Sequence, residues 1–181
     1  MPSMEEDTIV GSWDEAYLPY LKDIYDKVCE ENAANIGTKF MMGASSGGYV
    51  TWRMLELYGS YFKGAIPIAS GYMPDTESLK KIDKAGIELL VAHSRHDEMA
   101  LFENCVTPRE EELNNMAHCL CFFPEWIRNE DKGVASVNYG MEMGQHCIIN
   151  QIQANLIYND GTCYDERLPK GVTGWIREVC Q

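Results

Sequence analysis

Apolar positions along the first third of the chain recur at two different periods. Over residues 14–32, Tyr17, Leu18, Leu21, Ile24, Tyr25 and Val28 fall at helical spacing among charged neighbours, which predicts an amphipathic helix. Asn35-Ile36-Gly37 then turns the chain into a short apolar strand, Thr38 to Met42, followed by a helix over 46–58 that stops near Gly59. Gly64-Ala65-Ile66-Pro67-Ile68-Ala69 reads as a buried strand despite Pro67, which has no N–H for a ladder bond. Ile87 to His93 is a stronger one. An acidic helical pattern occupies 108–119 behind Pro108, Val134 to Tyr139 reads as a last strand, and Ile148–Tyr158 and Val172–Val179 read as closing helices. Strand and helix in alternation imply right-handed crossovers. The class is α/β, a three-layer α/β/α sandwich with a mostly parallel sheet, in one domain over 1–181.

Within that pattern, Gly43-Ala44-Ser45-Ser46-Gly47 joins a strand to a helix. A Gly-x-Ser-x-Gly turn in this context holds its serine on strained backbone at the carboxyl end of a parallel strand, with the hydroxyl facing a cleft. The flanking glycines are expected because a Cβ there would strike the strand or the helix. Ser45 is the candidate nucleophile. Taking Ser46 as the central residue would put Ala44 where the first glycine belongs, so Ser46 is read as the residue whose backbone N–H donates to an oxyanion.

A serine hydroxyl needs an imidazole to take its proton, and the imidazole needs a carboxylate to fix its tautomer. Such chains order the three as Ser, acid, His. Leu89 to Asp97 is a buried strand followed by a loop that presents Asp97, and Gly144-Gln145-His146 is a loop just ahead of an apolar helix. Asp97 and His146 are therefore the acid and the base. Asp75 and Glu98 are the rival acids. Among the other histidines, His93 ends a strand and reads as loop-shaping, His118 falls in the acidic helix, and His96 is a weaker rival. His93-x-x-His96-Asp97 lacks metal-site spacing, so neither a metal nor a cofactor is expected. Most aromatics and methionines read as packing, while Tyr72, Trp126 and Tyr139 are candidates for a cleft wall.

Charge and cysteines narrow the setting. With 28 acidic against 15 basic residues the chain carries −13, which argues against nucleic acid or an anionic membrane and favours a small neutral or cationic substrate. The acidic start Met1 to Asp7 has no signal-peptide pattern and no apolar run reaches membrane-spanning length, so the chain as written is expected to be cytoplasmic. Seven cysteines without CxxC spacing read mainly as reduced and structural.

With the elbow and the Asp97 and His146 loops in place, the chain resembles the α/β-hydrolase superfamily. Gly43 to Tyr49, together with Ile66-Pro67-Ile68-Ala69-Ser70-Gly71, resembles its esterase, polyhydroxybutyrate-depolymerase and prolyl-oligopeptidase-like branch. The resemblance implies two-step acyl transfer on a carboxylic ester, with peptide cleavage or a catalytically silent interaction module as the alternatives. Members of the superfamily usually carry three or four strands and a second oxyanion loop ahead of the nucleophile strand, and here only 44 residues precede Ser45. The chain therefore reads as a truncated α/β-hydrolase core whose nucleophile strand has a free edge. A homodimer or larger assembly is expected to cover that edge, and a longer native protein could be secreted.

Overall fold

In a computed structural model, residues 13–127, 137–138, 141–142, 144–158 and 160–180 are described. The chain separates into two compact units, 1–37 and 38–181. In the first, the Asp14 carboxylate accepts from Ala16 N at 2.8 Å and opens a single 3-10 turn, which continues into helix α1 (Leu18–Glu31). Pro19 sits in the first turn, where a missing N–H costs nothing. Asn32 closes the helix by donating to Val28 O at 2.8 Å.

The second unit runs β1 (Phe40–Ala44), α2 (Ser46–Tyr58), β2 (Gly64–Ile68), α3 (Thr76–Lys84), β3 (Glu88–Ala92), α4 (Phe102–Cys105), α5 (Glu110–Asn115) and β4 (Cys119–Phe122). After these come a short antiparallel pair, β5 (Val137–Asn138) and β6 (Met141–Glu142), and the helices α6 (Ile149–Gln153) and α7 (Gly171–Val179). Strands β1 to β4 form one parallel sheet in sequence order. β2 is buried at every residue and β3 at four of five. Consecutive buried positions require cover on both faces, as a three-layer α/β core supplies.

One layer is explicit. Ile66, Ile68, Leu90, Ala92 and Phe122 share a cluster with Ile148, Ile152, Leu156 and Val172, so α6 and α7 close that face. On the sheet, α2 packs on β1 and β2, touches α3, and α3 reaches α5, which packs on β4.

Pro67 lies in an interior strand, where a missing donor should break a ladder. It does so locally. The β2–β3 register runs Gly64↔Glu88 and Ala65↔Leu89 and resumes only at Ile68↔Ala92, whereas toward β1 it is continuous through Pro67↔Gly43. The sheet absorbs the proline by confining the gap to one side of one strand.

Several elements differ from the sequence reading. β1 lies two residues later than expected and runs up to Ser45 itself. The acidic helix ends at Asn115, and Cys119–Phe122 beyond it form a strand that pairs with β3, with Phe122 in the core and Leu120 packed against it. Helix α3 was not anticipated, since its apolar stripe consists of only Leu79 and Ile82. The strand read at 134–139 reduces, within the described residues, to Val137–Asn138, paired with Met141–Glu142 rather than with the main sheet. The helix read over 148–158 is short, and the chain leaves it through Asn155 and Leu156 at positive φ.

Candidate active site

The four strands end level. Ala44 pairs with Ile68, Ile68 with Ala92, and Ala92 with Phe122. The residues that follow these, including Ser45 and the loop from His93 to Asp97, therefore leave the same edge of the sheet.

Ser45 links β1 to α2 at φ +54° and ψ −117°, backbone that an L-residue rarely adopts and that costs about 1–3 kcal/mol. It is fixed there by Ser45 N donating to Ile68 O at 2.9 Å and by Tyr49 N donating back to Ser45 O at 3.1 Å. The side chain is exposed and makes no capping bond. Ser46 is the first residue of α2, where backbone N–H groups have no helical acceptor.

The glycines do not contribute as the motif alone suggests. A Cβ on Gly43 would run into the Gly47 carbonyl, and one on Gly48 would lie 2.7 Å from Ile68 O. A Cβ on Gly47 would meet nothing within 4 Å. The close approaches between strand and helix thus fall on Gly43 and Gly48, one residue beyond the pentapeptide.

On the other side, Asp97 is buried, accepts hydrogen bonds from three groups and has a second imidazole beside it. Met99 N and Ala100 N donate to Oδ1 at 2.8 and 2.7 Å, His146 Nδ1 lies 2.9 Å from both oxygens, and His93 Nε2 lies 3.3 Å from Oδ2. Burial by itself would raise its pKa, but the bonds from His146, His93 and Met99 N outweigh burial and hold the carboxyl well below the ordinary carboxylate range. Both imidazole tautomers follow from the partners. His93 Nε2 stands 2.7 Å from Ala100 O, an atom that can only accept, so it carries a proton. His146 Nδ1 faces a carboxylate and must donate, which leaves Nε2 with a free lone pair.

The His146 loop is clamped from beneath. Glu98 accepts from Gln145 N at 3.1 Å and from His146 N at 3.0 Å. The Gln145 amide accepts from Ser94 Oγ at 2.9 Å and Ile127 N at 2.8 Å, and donates to Ile127 O at 3.2 Å. Ser94 and Gln145 are buried, so these bonds act out of competition with water. On the sheet side, Ala44 packs against the cluster that contains Ile148, which draws the residue before Ser45 and the turn of His146 onto one core.

The rivals have other work. Asp75 caps α3 by accepting from Ser78 N at 2.8 Å. Glu98 is the clamp just described, a role that the sequence did not signal. His93 is buried against Asp97 and Phe102, and His96 stacks on Trp126. His118 lies in the turn before β4 with Nδ1 3.1 Å from Glu88 Oε1, not in a helix as expected. Tyr72 bonds Glu56 at 3.0 Å and meets Tyr49 edge-on at 5.4 Å. Tyr139 lies outside the described residues. Among the described residues no group of three or more His, Cys, Asp or Glu is arranged to hold a metal, and no helix is long and apolar enough to cross a membrane. The seven thiols are free.

No protein-family model and no curated protein matches the sequence. Among solved structures, a thermostable esterase superposes with a TM-score of 0.53 at 21% identity, over 78% of this chain and 35% of that one. SOBER1 of Arabidopsis thaliana aligns at 25% identity with a TM-score of 0.42, over 67% of this chain and 63% of SOBER1. This chain thus spans about a third of the esterase's length (35%) and under two thirds of SOBER1's (63%). The likeness to the esterase establishes a shared α/β fold.

Proposed function

We propose that this protein is a serine hydrolase that cleaves a small carboxylic ester through an acyl-enzyme. The observation that supports the reading is the buried Asp97–His146 contact, which takes up the Nδ1 proton and leaves Nε2 able to accept one, Asp97 being on the loop that follows β3 at the same end of the sheet as Ser45. In the first step His146 Nε2 takes the Ser45 proton as Oγ attacks the carbonyl, and Asp97 stabilises the resulting imidazolium. The N–H of Ser46 donates to the oxyanion, a contribution on the order of 10²–10³ in rate. Collapse of the tetrahedral intermediate passes the proton from His146 to the alcohol, which departs. Water, activated by the same nitrogen, then releases the carboxylic acid and restores Ser45.

Intact-mass spectrometry after fluorophosphonate treatment tests this directly, beside turnover of p-nitrophenyl acetate and butyrate. A single adduct on the wild type that is absent from Ser45→Ala, with ester turnover lost in parallel, is the expected result. A folded wild type that takes no adduct and turns over no ester overturns the reading.

A further inference from the structure

Of the two buried imidazoles, acyl transfer assigns a step to His146 and none to His93. His93 follows β3 directly, and its backbone N–H donates to Phe122 O at 3.0 Å, so the bonding between β3 and β4 continues through it. The ring is 2% exposed and meets Phe102 edge-on at 5.7 Å. Such a residue takes its position from the sheet, which holds a side chain more closely than a loop does.

The turn that follows is tied to this ring. Asp97 opens it, with the Met99 and Ala100 N–H groups both donating to Oδ1, at 2.8 and 2.7 Å. Its far end returns to the sheet, because His93 Nε2 donates to Ala100 O at 2.7 Å. The same edge of the ring lies 3.3 Å from Asp97 Oδ2. Among the described residues, the groups that bond or ion-pair with Oδ2 are the two imidazoles. Oδ1 thus carries two backbone N–H groups and Oδ2 the polarised edge of His93, while His146 Nδ1 sits between the oxygens, 2.9 Å from each. Unequal bonding would draw the Nδ1 proton toward the barer oxygen and turn the imidazole with it. Burial keeps water from making up the difference.

We propose that His93 is a positioning residue for His146: it ties Ala100 back to the end of β3 and sets an N–H edge beside Oδ2, and both hold Asp97 square to His146 Nδ1. As a contribution to rate this rests on the ester-hydrolase reading, while the contact itself can be followed without turnover.

His93→Leu and His93→Phe remove the N–H in two shapes, Phe keeping a ring against Phe102, and His93→Gln keeps a donor. Either donor-free variant that stays folded by circular dichroism is expected to lower kcat and the phosphonylation rate about ten- to a hundredfold, as a displacement of about 1 Å at the base does, with KM little changed. His93→Gln should recover most of the loss. In an Asp97→Asn background, removing His93 should cost little more, because its effect passes through the carboxylate. An equal loss in both backgrounds, an effect on KM alone, or His93→Gln as slow as the donor-free variants would make His93 a packing residue and overturn the proposal. A second arm needs neither turnover nor a substitution of His93, and it decides if neither donor-free variant folds. In Asp97→Asn the charge 3.3 Å from Nε2 is gone, so the His93 ring N–H resonance should shift in heteronuclear NMR, and an unmoved resonance overturns the contact. If the resonance shifts and the wild type takes no fluorophosphonate adduct, the hydrolase reading fails and the contact stands. If the wild type labels at Ser45 and the folded donor-free variants label at the same rate, the hydrolase reading stands and the positioning role fails.

Discussion

The turn after β1 and the loop after β3 leave the same end of one sheet, yet they are held by different means. β1 is partly exposed, with Met42 48% accessible, and among the described residues it pairs with β2 alone. Ser45 is placed there by backbone: a strained φ, a bond to Ile68 O and two close glycine contacts. β3 is interior, and Asp97 is placed by side-chain bonds that join residues about fifty positions apart, Asp97 to His146, Glu98 to Gln145 and Ser94 to Gln145. A position set by backbone tolerates exposure, because its constraint is steric. One set by hydrogen bonds needs burial, because water would compete for each bond.

The sharpest way to break this comparison is to remove the proposed nucleophile and base. Ser45→Ala and His146→Ala should each lower ester turnover by on the order of 10⁴–10⁶, and the double variant should lose little more, since the two groups act as one unit. Additive losses in kcat would show that they act separately. Asp97→Asn comes next. It should keep the fold and lower kcat by about 10⁴, because an amide no longer fixes the His146 tautomer. The same residue makes a pH prediction. Its folded-state pKa lies below the unfolded value of about 3.9, so its stabilisation is complete above that pH and is lost as pH falls through the lower, folded value. Acid unfolding followed by circular dichroism should therefore be shallower in Asp97→Asn, by up to about one proton.

The same contrast explains what could be read from the chain. The elbow was legible because Gly43 to Gly47 are contiguous and strand and helix flank them. Asp97 and His146, expected as acid and base, meet in the structure with Nδ1 2.9 Å from the carboxylate. The Glu98 clamp and the second contact of Asp97 with His93 could not be read, since they depend on a loop geometry that no local pattern records. β4 went unread for a similar reason. Cys119 to Phe122 are four apolar residues, too few to compete with the acidic helix before them, and pairing with β3 makes them a strand. Pro67 argued against an interior strand, and the sheet took it by leaving one gap in its register toward β3.

Glu98→Ala sharpens the comparison at intermediate size. It removes the acceptor of two backbone N–H groups and frees the His146 loop without touching Asp97. A displacement of about 1 Å at the base costs on the order of 10² in rate. The loss should appear in kcat and in the phosphonylation rate, with KM little changed. Unaltered kcat would show that the Asp97 contact alone positions His146.

The smallest effect decides whether the Ser45 side is governed by backbone contact or by the pentapeptide as such. If the pattern Gly-x-Ser-x-Gly itself mattered, Gly47→Ala would be the damaging change. The contacts say otherwise: a methyl at 47 enters open space, whereas one at 48 is pressed to 2.7 Å from the Ile68 carbonyl, whose oxygen also receives Ser45 N. Gly47→Ala should leave stability unchanged or raise it by about 0.5–1 kcal/mol, because alanine has less conformational freedom to lose in a helix. Gly48→Ala should lower stability by about 1–3 kcal/mol, as overpacking at a close backbone contact does. Because it pushes on the carbonyl that holds the strained serine, it should also slow phosphonylation more than Gly47→Ala. Chemical denaturation and labelling rates of the two variants together test the point, and the reverse order would return the weight to the motif.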